Sequence, residues 1–191
     1  KGGVVILRVI SGCARGHRLK TLAGLATRPT SDKVKESLFN IIAGYVEEAE
    51  VLDLYAGTGS LGIEALSRGA KSAVFVDKSI EAVRVIKYNL EYTKLSGKSE
   101  VIAGDVFKAI NRLCSEGRSF DIIFMDPPYR KNYIKDTLQI VSDSGIIKDN
   151  GIAVAEREAE DEAAEVVGRL KLWKNARYGD TVLSFYIQVP Q

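Results

Sequence analysis

Asp126-Pro127-Pro128-Tyr129 sets a carboxylate, a stiff turn and an aromatic ring in four consecutive residues, directly after the apolar run Ile122-Ile123-Phe124-Met125. The run reads as a buried strand, so the tetrapeptide stands at a strand's carboxyl end, where open α/β sheets hold their ligands. Two prolines donate no backbone hydrogen bonds and fix their own φ, which leaves a rigid turn whose carbonyls can accept. Such a set suits gripping a flat heterocycle by its exocyclic amino group while the Tyr129 ring stacks on it. The plainer reading is that Pro-Pro ends the strand and Tyr129 covers the core.

A second motif tips the balance. Val51-Leu52-Asp53-Leu54-Tyr55-Ala56-Gly57-Thr58-Gly59-Ser60-Leu61-Gly62 reads as a strand, a glycine turn and the start of a helix that continues through Ile63-Glu64-Ala65-Leu66. Gly57-x-Gly59-x-x-Gly62, with Asp77 closing the next apolar run, also fits a dinucleotide fingerprint. Asp53 argues against that reading, because a carboxylate just before the glycines repels a pyrophosphate and attracts an ammonium or sulfonium. S-adenosyl-L-methionine carries both cations and no phosphate. Its ribose hydroxyls suit Asp77, which accepts two hydrogen bonds. Asp105, after Val101-Ile102-Ala103-Gly104, is placed either to read the adenine amino group or to cap the helix that follows. Asp53, Asp77, Asp105 and Asp126 each close a successive strand, a pattern that capping alone explains poorly. Tyr55, Gly57, Thr58 and Gly59 in the turn, Lys78 beside Asp77 and Val106 beside Asp105 complete this set. Thr30 joins them at the start of a helix whose N-terminus suits the cofactor carboxylate.

The elements that position these residues follow from periodicity. Thr30-Ser31-Asp32 supplies cap candidates for a helix with Val34, Leu38, Ile41, Ile42 and Tyr45 on one face and Lys33 and Lys35 toward the other. Further helices are expected over 79–93, 105–113 and 134–141, with strands over 151–155, 170–174 and 181–189, the last two joined at Tyr178-Gly179-Asp180. This alternation predicts a mostly parallel, doubly wound α/β sheet. The 191 residues, 46% of them hydrophobic, suffice for one sizeable core. No run reaches membrane-span length and no charged-then-apolar leader precedes the first strand, so no membrane partner is expected. Cys13 and Cys114 are far apart and form no ligand cluster with His17, the single histidine. They read as free thiols in a reducing cytoplasm, without a metal.

The net charge of +2 conceals an asymmetry. Residues 1–40 carry eight of the 27 basic and two of the 25 acidic residues, making that segment +6 and the remainder −4. Arg8, Arg15, Arg18 and Lys20 fall on or beside a hairpin expected from 4–11 and 17–22, with Gly12 and Gly16 bounding its turn. Such charges often serve only solubility on an exposed edge. A hairpin packed beside the main domain would instead reach RNA phosphates without occupying the cleft. Arg8, Arg15, His17, Arg18, Lys20, Arg28 and Lys35 are the candidate RNA contacts. The acidic stretch 156–165 reads as a solvated face, and Trp173 as packing on the sheet.

The order of segments resembles a class I S-adenosylmethionine-dependent methyltransferase with an amino-methylating tetrapeptide. More narrowly, the chain resembles the bacterial small-subunit ribosomal RNA guanine-N2 methyltransferases of the RsmD family. Residues outside the generic motifs carry this likeness: Arg8-Val9-Ile10-Ser11-Gly12, Arg15-Gly16-His17-Arg18-Leu19, the run from Arg28-Pro29-Thr30 to Phe39-Asn40, and Tyr178-Gly179-Asp180-Thr181. Cys13-Ala14 stands where the family carries a larger, often aromatic residue. The resemblance implies a Rossmann-like fold with a seven-stranded sheet, the last strand antiparallel, and helices on both faces. It also implies a basic N-terminal hairpin over 1–27 and a methyltransferase domain over 28–191. The activity it implies is methyl transfer to guanine N2 of 16S ribosomal RNA, through Asp126, Pro127, Pro128 and Tyr129. The substrate it implies is an assembling or assembled small subunit; a monomer is the default expectation, on which the sequence is silent. The tetrapeptide alone admits adenine N6 of DNA or RNA as the target, but the gaps between motifs are too short for a target-recognition insert. A non-catalytic ribosome assembly factor is the rival from another class.

Overall fold

The computed structural model describes residues 7–22, 32–127 and 133–190. Its centre is an eight-stranded sheet in the order β3-β2-β1-β4-β5-β8-β7-β6. The strands are β1 (Glu50–Leu54), β2 (Ser72–Asp77), β3 (Ser99–Ala103), β4 (Phe120–Met125), β5 (Ile147–Glu158), β6 (Val166–Val167), β7 (Leu170–Tyr178) and β8 (Thr181–Gln188). From β3 to β5 neighbours pair in parallel, and β8, β7 and β6 continue antiparallel. The expected seven strands are thus eight. The addition is β6, a two-residue edge strand too short to leave a periodic signal.

The helices are α1 (Asp32–Ile41), α2 (Ala43–Val46), α3 (Ser60–Ser67), α4 (Ile80–Tyr92), α5 (Val106–Ser115) and α6 (Tyr133–Ser144). Alternation along the parallel strands divides the core in two. Val51, Phe75, Ile122 and Phe124 face α1, α3 and α4 through Leu38, Phe39, Ile63 and Ile86. Leu52, Val74, Val76 and Ile123 face α5 and α6 through Ile110, Leu113, Leu138 and Val141. Strands covered on both faces are what a parallel sheet requires. Because the chain runs outward from β1 through β2 to β3 and returns to β4 on β1's other side, a crevice opens beyond the carboxyl ends of β1 and β4.

The single helix expected up to Tyr45 is broken at Ile42, whose φ of −97° and ψ of 15° leave the helical well, and α2 follows as one turn. Both β5 and β7 outrun their expected spans, β7 through an irregularity between Leu172 and Lys174 that accommodates half-exposed Trp173. Trp173 meets Phe185 of β8 edge-on at 6.3 Å. At the β7–β8 turn, Tyr178 hydrogen-bonds through its hydroxyl to Ser37 of α1.

The N-terminal segment forms a short hairpin with one bridge, Arg8 to Arg18, supported by Val9 N–H to the His17 carbonyl and Leu19 N–H to the Leu7 carbonyl. Leu7, Val9, Ala14 and Leu19 join the same core as α1 and α3. Buried Glu64 accepts from the N–H groups of Ile10 (2.8 Å) and Ser11 (3.0 Å) and from Arg68 Nε (2.8 Å). Ser67 Oγ donates to the Ser11 carbonyl and accepts from Ala14 N–H. Gly12 is required here, because a Cβ would lie 1.7 Å from the Ser67 carbonyl oxygen and its φ is +85°.

Lys35 overturns its assignment to the RNA surface. Its side chain is fully buried, donates to the Arg8 carbonyl at 2.6 Å and lies 3.5 Å from Glu64. Desolvation lowers its pKa against the opposing pull of Glu64. The hairpin covers the flank of α1 that helical periodicity assigns to solvent, so this lysine anchors the hairpin. Among the described residues no helix is long and apolar enough to cross a membrane.

Candidate active site

The crevice at the strand ends is a cleft of about 400 Å³, within the range of small-molecule sites. Asp53, Tyr55, Gly57, Thr58, Asp77, Lys78, Asp105, Val106 and Asp126 all line it. Four of these are the carboxylates that close successive strands.

Asp53 sits at the inner end. Its Oδ2 accepts the Gly62 N–H at 2.9 Å, and burial, reinforced by the charge of Asp77, raises its pKa to about 8. The contact depends on α3 lying close over β1 and β2: a Cβ on Gly62 would meet the Phe75 ring at 2.3 Å. Tyr55 carries a φ of 58° in the left-handed region, a conformation concentrated at functional sites. Its ring meets Tyr133 of α6 at 6.5 Å, its hydroxyl bonds Thr137, and burial raises its pKa.

Asp77 is held by both oxygens, Oδ2 accepting from Gly57 N–H and Oδ1 from Ser79 N–H, each at 2.8 Å. This fixes the carboxylate between the glycine turn and α4 while further lone pairs remain for a ligand's hydroxyls. Asp105 caps α5 by accepting from Lys108 N–H at 3.1 Å, and it also lines the cleft. Gly59 does not line the cleft; it is buried as the left-handed N-cap residue of α3.

Asp126 follows β4 and reaches solvent through the cleft. Burial and the charges of Glu156 and Asp53 raise its carboxyl well above the ordinary range. The acidic stretch that opens with Glu156 has the pattern of a solvated face, yet the position of Glu156 is set by the sheet. Met125 pairs with Ala155 in the parallel register, so Asp126 and Glu156 extend neighbouring strands side by side. A cation is the natural guest for a cleft so crowded with carboxyls. Asp126 also has proton affinity enough to take up a proton near neutrality. Pro127 is buried behind it. Arg28, Thr30, Pro128 and Tyr129 lie outside the described residues.

Other residues at the cleft carry no signal in the sequence. Phe107 and Tyr133 offer aromatic wall on the α5 and α6 side. Thr21 and Leu22, at the end of the hairpin segment, also line the cleft, contrary to the expectation that the hairpin stays clear of it. Asn89 explains the approach: fully buried on α4, it accepts from Lys20 N–H at 2.8 Å and donates to the carbonyls of Lys20 and of Thr58. One side chain thereby ties the hairpin to the glycine turn. The remaining hairpin candidates, Arg15, Arg18 and Lys20, are exposed; Arg8 is exposed but ion-paired to Asp32 at 2.7 Å, and half-buried His17 has its Nδ1 at 2.9 Å from the Ala14 carbonyl.

Comparison with known proteins agrees with this geometry. The family model described as Conserved hypothetical protein 95 matches residues 7–187. YlbH of Bacillus subtilis (strain 168) is 41% identical over 180 residues, covering 94% of this chain and 98% of that protein. Ribosomal RNA small subunit methyltransferase D of Escherichia coli (strain K12) is 31% identical over 180 residues, covering 94% and 89%. Among solved structures, the Thermus thermophilus protein TTHA0928 superposes with a TM-score of 0.81 at 30% identity, covering 94% of this chain and 98% of its own. The Thermus thermophilus 16S rRNA N2 G1207 methyltransferase (RsmC), solved with AdoMet and guanosine, has a TM-score of 0.71 at 19% identity over 90% of this chain and 47% of its own, a likeness of fold. With a family model spanning the hairpin and the sheet alike, the chain belongs to the Conserved hypothetical protein 95 family, that of the RsmD methyltransferases.

Proposed function

We propose that the chain transfers a methyl group from S-adenosyl-L-methionine to the exocyclic N2 of a guanine in 16S ribosomal RNA, presented within the small subunit, and that it works as a cytoplasmic monomer. The observation that carries this reading is the row of carboxylates along one cleft, ending at Asp126 beside Asp53. The donor set fits the cofactor. Asp53 faces a cation, Asp77 offers lone pairs to ribose hydroxyls, and Asp105, Val106 and Phe107 form a wall for a purine. When bound, that cofactor supplies an electrophilic methyl on sulfonium.

Asp126 and the Pro127 carbonyl accept the two N2 hydrogens, which frees the nitrogen to pyramidalise and aims its lone pair. Tyr129 stacks the base. Held along Asp53, Asp77 and Asp105, the cofactor would supply the methyl that the nitrogen aimed by Asp126 and Pro127 takes up, and its sulfur would serve as the leaving group. The surplus proton passes to Asp126 or to water, and the raised pKa of Asp126 suits it to receive it. Holding both reactants in line contributes on the order of 7–11 kcal/mol, so a strong base is unnecessary. The target must be unpaired or flipped out to reach this depth. RNA rather than DNA is favoured by the basic hairpin at the cleft and by the name of the E. coli relative. The free thiols Cys13 and Cys114 suit a reducing cytoplasm.

The test is transfer of labelled methyl from S-adenosylmethionine to small subunits lacking the modification, with naked ribosomal RNA and duplex DNA alongside, followed by nucleoside analysis. N2-methylguanosine in the subunit is the expected product. N6-methyladenine would refute the target assignment, and tight cofactor binding without transfer would favour the assembly-factor reading.

A further inference from the structure

The outer face of α4 carries a pattern that the methyl-transfer chemistry leaves unused. Ile80, Arg84, Tyr88 and Tyr92 recur every fourth residue and so share one stripe of the helix. Ile80, Tyr88 and Tyr92 are 57%, 50% and 47% exposed, an aromatic and aliphatic line that a solvated helix would fill with polar residues. The stripe begins at the cleft, since neighbouring Ser79 and Ala82 line it, and ends at the hairpin.

The rings there are ordered. Tyr88 and Tyr92 lie nearly parallel, 8° apart with centroids at 6.2 Å. Lys20 Nζ stands 5.2 Å from the Tyr88 centroid, and the His17 ring meets Tyr92 edge-on at 5.3 Å. His17 is itself oriented by donating from Nδ1 to the Ala14 carbonyl. Arg15, Arg18, Lys20, Arg84 and Lys87 are exposed, and among the described residues none of them forms an ion pair. Glu81 and Glu91 also lie on exposed positions of α4, so this face is mixed in sign on the helix and basic where the hairpin meets it.

We propose that this stripe is a second RNA site, which stacks an unpaired base of the substrate strand on Tyr88 and Tyr92 while Lys20, Arg84 and Lys87 hold the adjacent phosphates. The inference rests on the RNA reading above and adds a site for a nucleotide other than the one methylated. Positive charge alone would serve duplex and single strand alike. Exposed, mutually ordered aromatic faces serve only bases that have left their stack, and they do so without regard to sequence. Asn89 gives the site a link to the chemistry, because it holds both Lys20 and the Thr58 carbonyl of the cofactor turn. Stacking at the stripe thus anchors the strand beside the cleft.

The competing account makes the tyrosines a seat for the hairpin and nothing more. Two double variants separate them, Tyr88→Ala/Tyr92→Ala and Tyr88→Phe/Tyr92→Phe, assayed with a fluorescein-labelled unstructured RNA 12-mer, the same sequence as duplex RNA, and S-adenosylmethionine. The alanine pair should weaken single-strand binding roughly 10-fold or more. Its salt slope should be unchanged because the phosphate contacts remain. Duplex and cofactor affinity should hold, and the phenylalanine pair should bind as the wild type does. Single-strand affinity within about 2-fold of wild type in the alanine pair overturns the stacking site alone. Failure of the wild type to bind either RNA at low salt overturns the underlying RNA reading as well. Should the alanine pair not fold, 4-thiouridine crosslinking of the 12-mer to wild-type protein decides the matter: adducts on Tyr88 or Tyr92 support the site, and adducts confined to other segments overturn it.

Discussion

Asp53→Asn pulls apart the two roles of one carboxyl. The buried acid titrates at about 8 in the folded protein against 3.8 for the free group. Between those values the folded state holds a proton that the unfolded state has released, so stability declines as pH rises from about 4 to about 8 and is unaffected below. The shift spans about 4 units at about 1.4 kcal/mol each, which sets a ceiling near 6 kcal/mol. Relaxation and water in the cleft leave roughly 2–4 kcal/mol as the working figure. Asparagine is uncharged throughout and keeps an oxygen to accept the Gly62 N–H. Asp53→Asn should therefore melt on the order of 5–10 °C above wild type at pH 8.5, with most of that gap gone near pH 5. The assay is thermal unfolding without ligand at the two pH values, paired with calorimetric titration of S-adenosylmethionine. Affinity at pH 8.5 should fall by more than about 10-fold even as the fold gains stability, because the carboxylate proposed to face the cofactor's cation is gone. A stability gap independent of pH would refute the argument that burial, rather than packing, sets the cost at this position.

Four further outcomes are expected. Asp126→Asn should cut kcat by roughly 10²–10⁴-fold while cofactor affinity stays within about 3-fold. In the wild type kcat/KM should rise with pH beyond the ordinary carboxylate range, since the role proposed for Asp126 in taking up the surplus proton needs its ionised form, and a profile flat from pH 5 to 9 would remove it from that role. Gly12→Ala should destabilise by about 1–3 kcal/mol, because its Cβ meets the Ser67 carbonyl and its φ is +85°; an unchanged melting temperature would show that the hairpin is not seated there. Asn89→Ala leaves backbone groups of Lys20 and Thr58 without their partner and should cost about 1–3 kcal/mol, with weaker cofactor binding as the reading specific to its contact with the glycine turn.

What the sequence disclosed was whatever is local. Ser79 and Asp105 sit just before apolar periodic segments, and both cap the helices expected of them, α4 and α5. The glycine turn and the strand-closing acids were legible because adjacency along each strand survives folding, and the sheet needs only to bring those ends together. Glu156 is illegible for the opposite reason. Nothing in the run from Glu156 to Glu165 marks its first member, and only the parallel pairing of Met125 with Ala155 sets it beside Asp126. Thr21, Leu22 and Tyr133 likewise reach the cleft through tertiary packing, without any spacing that could announce them.

Lys35 shows why amphipathic reasoning failed on α1 in particular. Periodicity finds one apolar face and assigns the rest to water, which holds only when a helix has a single neighbour. Here α1 is covered on a second side by the hairpin, and the chain meets that contact with polar groups: Lys35, Glu64, Arg68 and the backbone of Arg8, Ile10 and Ser11. A buried ion cluster of this kind contributes little net stability compared with apolar packing, but it is strongly penalised when any one member is misplaced. That asymmetry favours a single seating of the hairpin over alternatives of similar area. A fixed seating is what the site requires, because the same short segment carries Thr21 and Leu22 into the cleft and Lys20 onto Tyr88. A purely greasy contact, tolerant of slippage, would let the cleft wall and the basic surface drift together by the few ångströms over which methyl transfer loses its alignment.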